Sequence, residues 1–164
     1  MLGFNVMMRI VSTIFLLLLL TTPAVAGEIN TILQADVTVI NDPVAATKLV
    51  GEHFLALQWI SWDHFGKVTI AKNDTAAWKI SGRQDSRENN DYLSIDGIVT
   101  EISTLSFGFS GKIVTKVSLI NNGEPVTRSG NMTFRISGKR RYWRLKEMQN
   151  PEDNVVDYID IFFK

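Results

Sequence analysis

Ile113-Val114-Thr115-Lys116-Val117-Ser118-Leu119, closed by Asn121-Asn122-Gly123, decides the fold class. Ile113, Thr115, Val117 and Leu119 fall on alternate positions, the two-residue period of a strand with one buried face. Asn-Gly is a strong hairpin-turn signal. The same grammar extends both ways. Downstream, Met132, Phe134 and Ile136 alternate up to the turn Ser137-Gly138-Lys139, and Tyr142 to Glu147 pairs back across it. Beyond the loop Asn150-Pro151-Glu152-Asp153-Asn154, Val155 to Phe163 closes the chain as a strand. Upstream, Leu105, Phe107 and Phe109 precede Ser110-Gly111, and Val68 to Ile70 pairs with Trp78 to Ile80 around Asn73-Asp74-Thr75. Arg83 to Asn90 is polar throughout and reads as a loop. Between Leu93 and Ile102 the apolar phase flips across Asp96-Gly97, which predicts a bulge or tight bend at Gly97.

One segment follows the helical period instead. Asp42 can cap free amides and Pro43 suits a first helical position. Ala46, Leu49, Val50, Phe54 and Leu57 then share one face, which predicts a helix over about 42–58. Ala35 to Ile40 before it reads as a lead-in strand or an extended arm. The absence of helix–strand alternation argues for antiparallel pairing. The expected fold is mainly β (α+β): one N-terminal helix packed on a curved antiparallel sheet or small β-barrel.

Composition narrows the function classes. The 164 residues hold 17 basic and 17 acidic side chains, no cysteine and four tryptophans. A balanced charge argues against a nucleic-acid-gripping face. The lack of cysteine excludes disulfides, thiolate metal sites and cysteine nucleophiles. At the start of the chain, Arg9, the apolar run Ile10–Leu20, the breaker Pro23 and Ala24-Val25-Ala26 have the order of a secretory signal peptide. The apolar run is too short for a membrane span, which takes about 20 residues. Residues 1–26 are therefore read as a signal cleaved after Ala26. That leaves 27–164 as a single globular domain, periplasmic or secreted, with no membrane span.

Candidate chemistry is sparse. His53 and His64 lack metal-ligand spacing, and no nucleophile elbow or phosphate-binding glycine loop occurs. No catalytic residue, metal ligand or cofactor is assigned. Asp157 and Asp160 stand three apart, on opposite faces of a strand, and cannot form an acid–base pair there unless a bulge intervenes. The cluster Lys139-Arg140-Arg141-Tyr142-Trp143-Arg144 mixes cations with rings, but its position at a turn makes it a solvated hairpin rather than a nucleic-acid site. Alternation puts Arg144 near an aromatic ring, where a guanidinium can stack or hold an anion. Trp59, Trp62 and Phe65 gather where helix gives way to strand, as a core plug or the wall of a pocket at a barrel mouth.

The C-terminal half resembles a family of small exported bacterial proteins of uncharacterised function. The resemblance rests on Asp96-Gly97-Ile98-Val99-Thr100, Gly111-Lys112-Ile113-Val114-Thr115, Asn122-Gly123-Glu124-Pro125 with Arg128 and Gly130, Tyr142-Trp143-Arg144-Leu145, and Asp157-Tyr158-Ile159-Asp160-Ile161-Phe162. It covers roughly 78–163 and implies a bacterial source and export. It also implies that the loops around Val126 and Glu152, positions where the family carries cysteines, lie close in space. It implies no activity. The functional expectation is a non-catalytic ligand-binding or accessory module, with Trp59, Trp62, Arg128, Tyr142 and Arg144 as contacts to a small-molecule or peptide ligand. The alternatives are a cell-envelope protein-interaction module docking by a strand edge or the basic hairpin, and, last, an Asp/Glu-dependent enzyme.

Overall fold

The computed structural model describes residues 37–73 and 76–164. The expected signal segment, Ala35 and Asp36 of the lead-in arm, and Asp74 and Thr75 at the tip of the first expected hairpin lie outside the described residues. Elements run in the order β1 (Val39–Ile40), α1 (Pro43–Leu49), β2 (Gly51–Leu57), β3 (Gly66–Lys72), β4 (Trp78–Asp85), β5 (Tyr92–Ser103), β6 (Ser106–Lys116), β7 (Val126–Arg135), β8 (Tyr142–Leu145) and β9 (Ile159–Phe162). Strands β2 to β9 pair as sequence neighbours throughout, and β2 pairs with β9, so the sheet closes. The result is an eight-stranded up-and-down antiparallel barrel. Of the two architectures expected, the small β-barrel is the one formed, more than a curved sheet. Among the described residues no helix is long and apolar enough to cross a membrane.

The helix is shorter than its apolar spacing suggests, and it follows β1 rather than opening the fold. Asp42 caps it by accepting from the amides of Val44 and Ala45 at 2.9 and 3.1 Å. Those bonds, together with the Thr104 hydroxyl, hold its carboxyl below the ordinary range. At the other end Val50 turns extended and Gly51 takes φ +119°, a conformation that favours glycine. From Gly51 the chain is β2, with His53, Leu55 and Leu57 buried and Phe54 exposed. Over so short a stretch the two periods overlap at Leu57, and pairing with β3 and β9 decides for the strand. His53 therefore lies in the barrel rather than on a helix surface, with Nε2 2.8 Å from the Leu49 carbonyl oxygen.

The expected bend at Gly97 lies elsewhere. β5 runs straight through Gly97, which pairs with Ile80 on one side and Gly111 on the other. The register shifts between Val99 and Glu101, and that bulge brings Ile102 into the core. Gly97, Gly111 and Gly130 stand side by side across β5, β6 and β7. The ring of Phe109 lies over the first two: a Cβ at Gly97 would meet its Cε2 at 2.6 Å, and one at Gly111 its Cζ at 2.8 Å. Glycine is needed there because an aromatic ring occupies the space.

Other boundaries shift for local reasons. β4 continues to Asp85 because Gln84 points inward, accepting from the Leu57 amide and donating to the carbonyls of Ser61 and His64. A polar run thus conceals a strand end. β6 stops at Lys116, leaving Leu119 exposed, and Asn121–Gly123 is a 3₁₀ turn rather than a tight hairpin. β8 and β9 have four residues each, shorter than the alternation implied. β1 continues the line of β4 along β5, parallel to it, and Thr38 splices the two. The Thr38 hydroxyl donates to the Val99 carbonyl and accepts from the Trp78 amide.

The barrel interior is filled. Phe107 stacks on Phe134 with centroids 5.0 Å apart and meets Trp143 edge-on, while Leu55, Val68, Ile80, Leu93, Ile113, Leu145 and Ile161 are fully buried around them. The gap between α1 and the barrel amounts to about 10 Å³, at the lower limit for one water.

Candidate functional site

The outer wall of β2, β9 and β8 departs from the usual polar exterior. Register places Phe54 beside Phe162 and Phe162 beside Tyr142, with Ala56, Asp160 and Arg144 in the row next to them. Trp62 and Phe65, from the connection between β2 and β3, fold over the same wall. Phe65 lies 5.1 Å from Phe162 and 5.7 Å from Phe54, and Trp62 meets Phe162 edge-on at 6.3 Å. Tyr142 completes the row at 4.9 Å from Phe162. This is no buried plug: Phe54, Trp62 and Phe65 are 37, 43 and 41% exposed.

Arg144 and Asp160 are set into that aromatic wall. Nε and Nη2 of Arg144 donate to Oδ1 and Oδ2 of Asp160, both at 2.7 Å, a bidentate pair. The guanidinium lies 4.2 Å from the Tyr158 ring and 5.2 Å from Tyr142. The stacking expected of Arg144 is therefore present, although its charge faces a carboxylate of the same chain. Burial pushes the Asp160 carboxyl above its ordinary pKa, more than Arg144 lowers it, and the bond to Asp160 raises that of Arg144. Beside the pair runs a groove of about 290 Å³ lined by Arg135, Arg140, Arg144 and Lys146 together with Met148 and Tyr158. Among the described residues Arg135, Arg140 and Lys146 have no carboxylate partner.

Trp59 and Arg128 meet at a different place. Asp157, just before β9, accepts from Arg128 Nη2 at 2.6 Å, Asn150 Nδ2 at 2.9 Å and Trp59 Nε1 at 2.9 Å. Arg128 is 7% and Asp157 1% exposed, so the pair is buried. Arg128 Nη2 also donates to the Gln149 carbonyl. The Asn121 amide, in the 3₁₀ turn that precedes β7, donates to Asp153 in the loop that carries Glu152.

The five expected contacts thus divide. Trp62, Tyr142 and Arg144 share the outer wall, whereas Trp59 and Arg128 converge on Asp157. Asp157 and Asp160 are indeed apart, each held by its own arginine, and Asp157 precedes the strand rather than lying in it. Sequence reading missed Phe54, Phe162, Tyr158 and Asp160 as parts of the wall. The available signal was aromatic residues at outward positions of β2, β8 and β9, but it needs the β2–β9 pairing to become visible.

The sequence profile described as the PM1083 family matches residues 37–163, nearly the whole described barrel. The chain belongs to the PM1083 family. It is 48% identical over 116 residues to "Uncharacterized protein PM1083" of Pasteurella multocida (strain Pm70), covering 71% of this chain and 74% of that protein. No solved structure matches it. The PM1083 relationship supports an uncharacterised bacterial family and brings no activity with it.

Proposed function

We propose that this PM1083-family protein is an exported, non-catalytic binding module of the cell envelope. Its docking surface is the outer β8–β9–β2 wall, and its partner is an envelope protein presenting apolar and acidic side chains together. One observation carries the reading: an exposed row of aromatics flanks a groove in which Arg135, Arg140 and Lys146 form no salt bridge among the described residues, while Arg144 is held by Asp160. Rings supply large contact area at low entropic cost, and desolvated arginines recognise carboxylates, the combination enriched at binding hot spots. The filled barrel argues against a ligand held inside, the usual place in a barrel of this size. Export is supported by Arg9, the run Ile10–Leu20 and Ala24-Val25-Ala26.

The test is native mass spectrometry of the protein released gently from the periplasm, beside its Phe65→Lys variant. Phe65 is partly exposed on a connecting segment, so the variant keeps its fold while placing a charge in the aromatic row. The wild type is expected to carry a second protein that the variant lacks. A small extra mass kept by both proteins would favour a ligand-binding module instead, and recovery only from the cytoplasm would defeat the export reading.

A further inference from the structure

Between β7 and β8 the strand pairing is incomplete. β7 has ten residues, but β8 pairs only with Phe134 and Arg135. One residue further, the Thr133 carbonyl accepts from the Lys146 amide, and the Thr133 amide donates to the Glu147 side chain. Both backbone groups of Thr133 therefore face away from β6. By the alternation of a strand, those of Asn131, Ser129 and Thr127 face the same way, and no strand pairs with them. A groove of about 380 Å³ lies between this edge and Glu147, Gln149 and Pro151. Edges left bare in natural sheets are usually short, covered or charged. This one spans Thr127 to Asn131, about 13 Å at strand rise.

Arg128 lines the same groove. Its Nη2 reaches across to the Gln149 carbonyl and to Asp157, yet Nε and Nη1 are buried and have no hydrogen-bond partner. Two buried guanidinium donors without acceptors carry a desolvation cost that a bound acceptor would remove. Asp157 already balances the charge, so the missing group is a hydrogen-bond acceptor, charged or neutral.

We infer that the Thr127–Asn131 edge takes an extended peptide segment of a partner protein by strand addition. The peptide's backbone pairs with Thr127, Ser129 and Asn131, and one of its side chains, an amide or carboxylate, faces Arg128. This site is separate from the outer aromatic wall and does not rest on it.

The test uses Ser129→Pro. The Ser129 amide faces the open edge, so proline removes a donor from the groove and no bond from the barrel. A phage library of random dodecapeptides is selected on the wild-type protein, and the enriched peptide is synthesised and titrated. It should bind the wild type and Phe65→Lys alike, lose at least about tenfold in affinity on Ser129→Pro, and slow amide exchange at Ser129 and Asn131. If Ser129→Pro melts early, Thr127→Pro serves in its place. The inference is overturned if no peptide is enriched, if binding survives the proline, or if protection falls on the aromatic wall. It is also overturned if the wild type self-associates through this edge and the proline variant does not, since the occupant would then be a second copy.

Discussion

Asp157→Ala should be among the most damaging substitutions on the polar side of this barrel. The carboxylate is buried and holds three side-chain donors, from Arg128, Asn150 and Trp59. Removing it leaves the buried Arg128 cation with only the Gln149 carbonyl, because Nε and Nη1 already lack partners. Breaking a buried pair from one side costs about 3–5 kcal/mol. The indole of Trp59 is partly exposed and can turn to water, so it adds little. Against a total stability of about 5–15 kcal/mol, a loss near 4 kcal/mol is severe. With a urea slope of about 2 kcal/mol/M it would lower the midpoint by about 2 M. Arg128→Met should cost less, since the carboxylate keeps Asn150 and Trp59. The double variant Arg128→Met with Asp157→Leu should recover about 2 kcal/mol or more over Asp157→Ala, because apolar replacement of a whole buried pair is often neutral. The assay is urea unfolding of all four proteins followed by far-ultraviolet circular dichroism. A loss under about 1 kcal/mol in Asp157→Ala, or a double variant no better than it, would show that the buried pair does not carry this stability.

Three further outcomes follow from the geometry. Gly111→Ala would put a methyl 2.3 Å from the Asp96 carbonyl oxygen and 2.6 Å from the Gly97 Cα, so it should destabilise the fold by about 1–3 kcal/mol or more in thermal unfolding. Burial raises the Asp160 pKa, so the native state keeps a proton that the unfolded chain releases, and this group's contribution to stability falls as pH rises from about 4 through the raised value. The stability of wild type minus that of Asp160→Asn should therefore decline over that window, and a rise would show that Arg144 outweighs burial. On the proposed export, protein recovered from the periplasm should have an intact mass that begins at Gly27, and retention of residues 1–26 would refute cleavage after Ala26.

The antiparallel β class was legible because alternation survives in β6, β7 and β8, where one face is buried and the other wet. The helix boundary was not, because Leu49, Val50, Phe54 and Leu57 satisfy a helical face as well as they satisfy the α1–β2 break, and only Gly51 hints at the difference. Gln84 hid the end of β4, since a buried amide satisfied by three backbone groups looks like a loop residue in sequence. The bulge near Thr100 was displaced to Gly97 by the assumption that glycine marks irregularity, whereas Gly97 is there for the ring of Phe109. Of the site, the Arg144 stack was readable within one strand. The aromatic wall was not, because it joins residues 54, 65, 142 and 162 through a β2–β9 pairing that only barrel closure creates.

Site-specific photocrosslinking in the living cell tests whether the outer wall docks an envelope protein, as proposed. A photoreactive residue replaces Trp62 on the wall or, as a control, the exposed Leu119 beyond the end of β6. The wall position should give one discrete adduct, with an acidic envelope protein, that Phe65→Lys abolishes, and the control position should give none. Equal crosslinking from both positions, or none from Trp62, would show that the wall is not the docking surface.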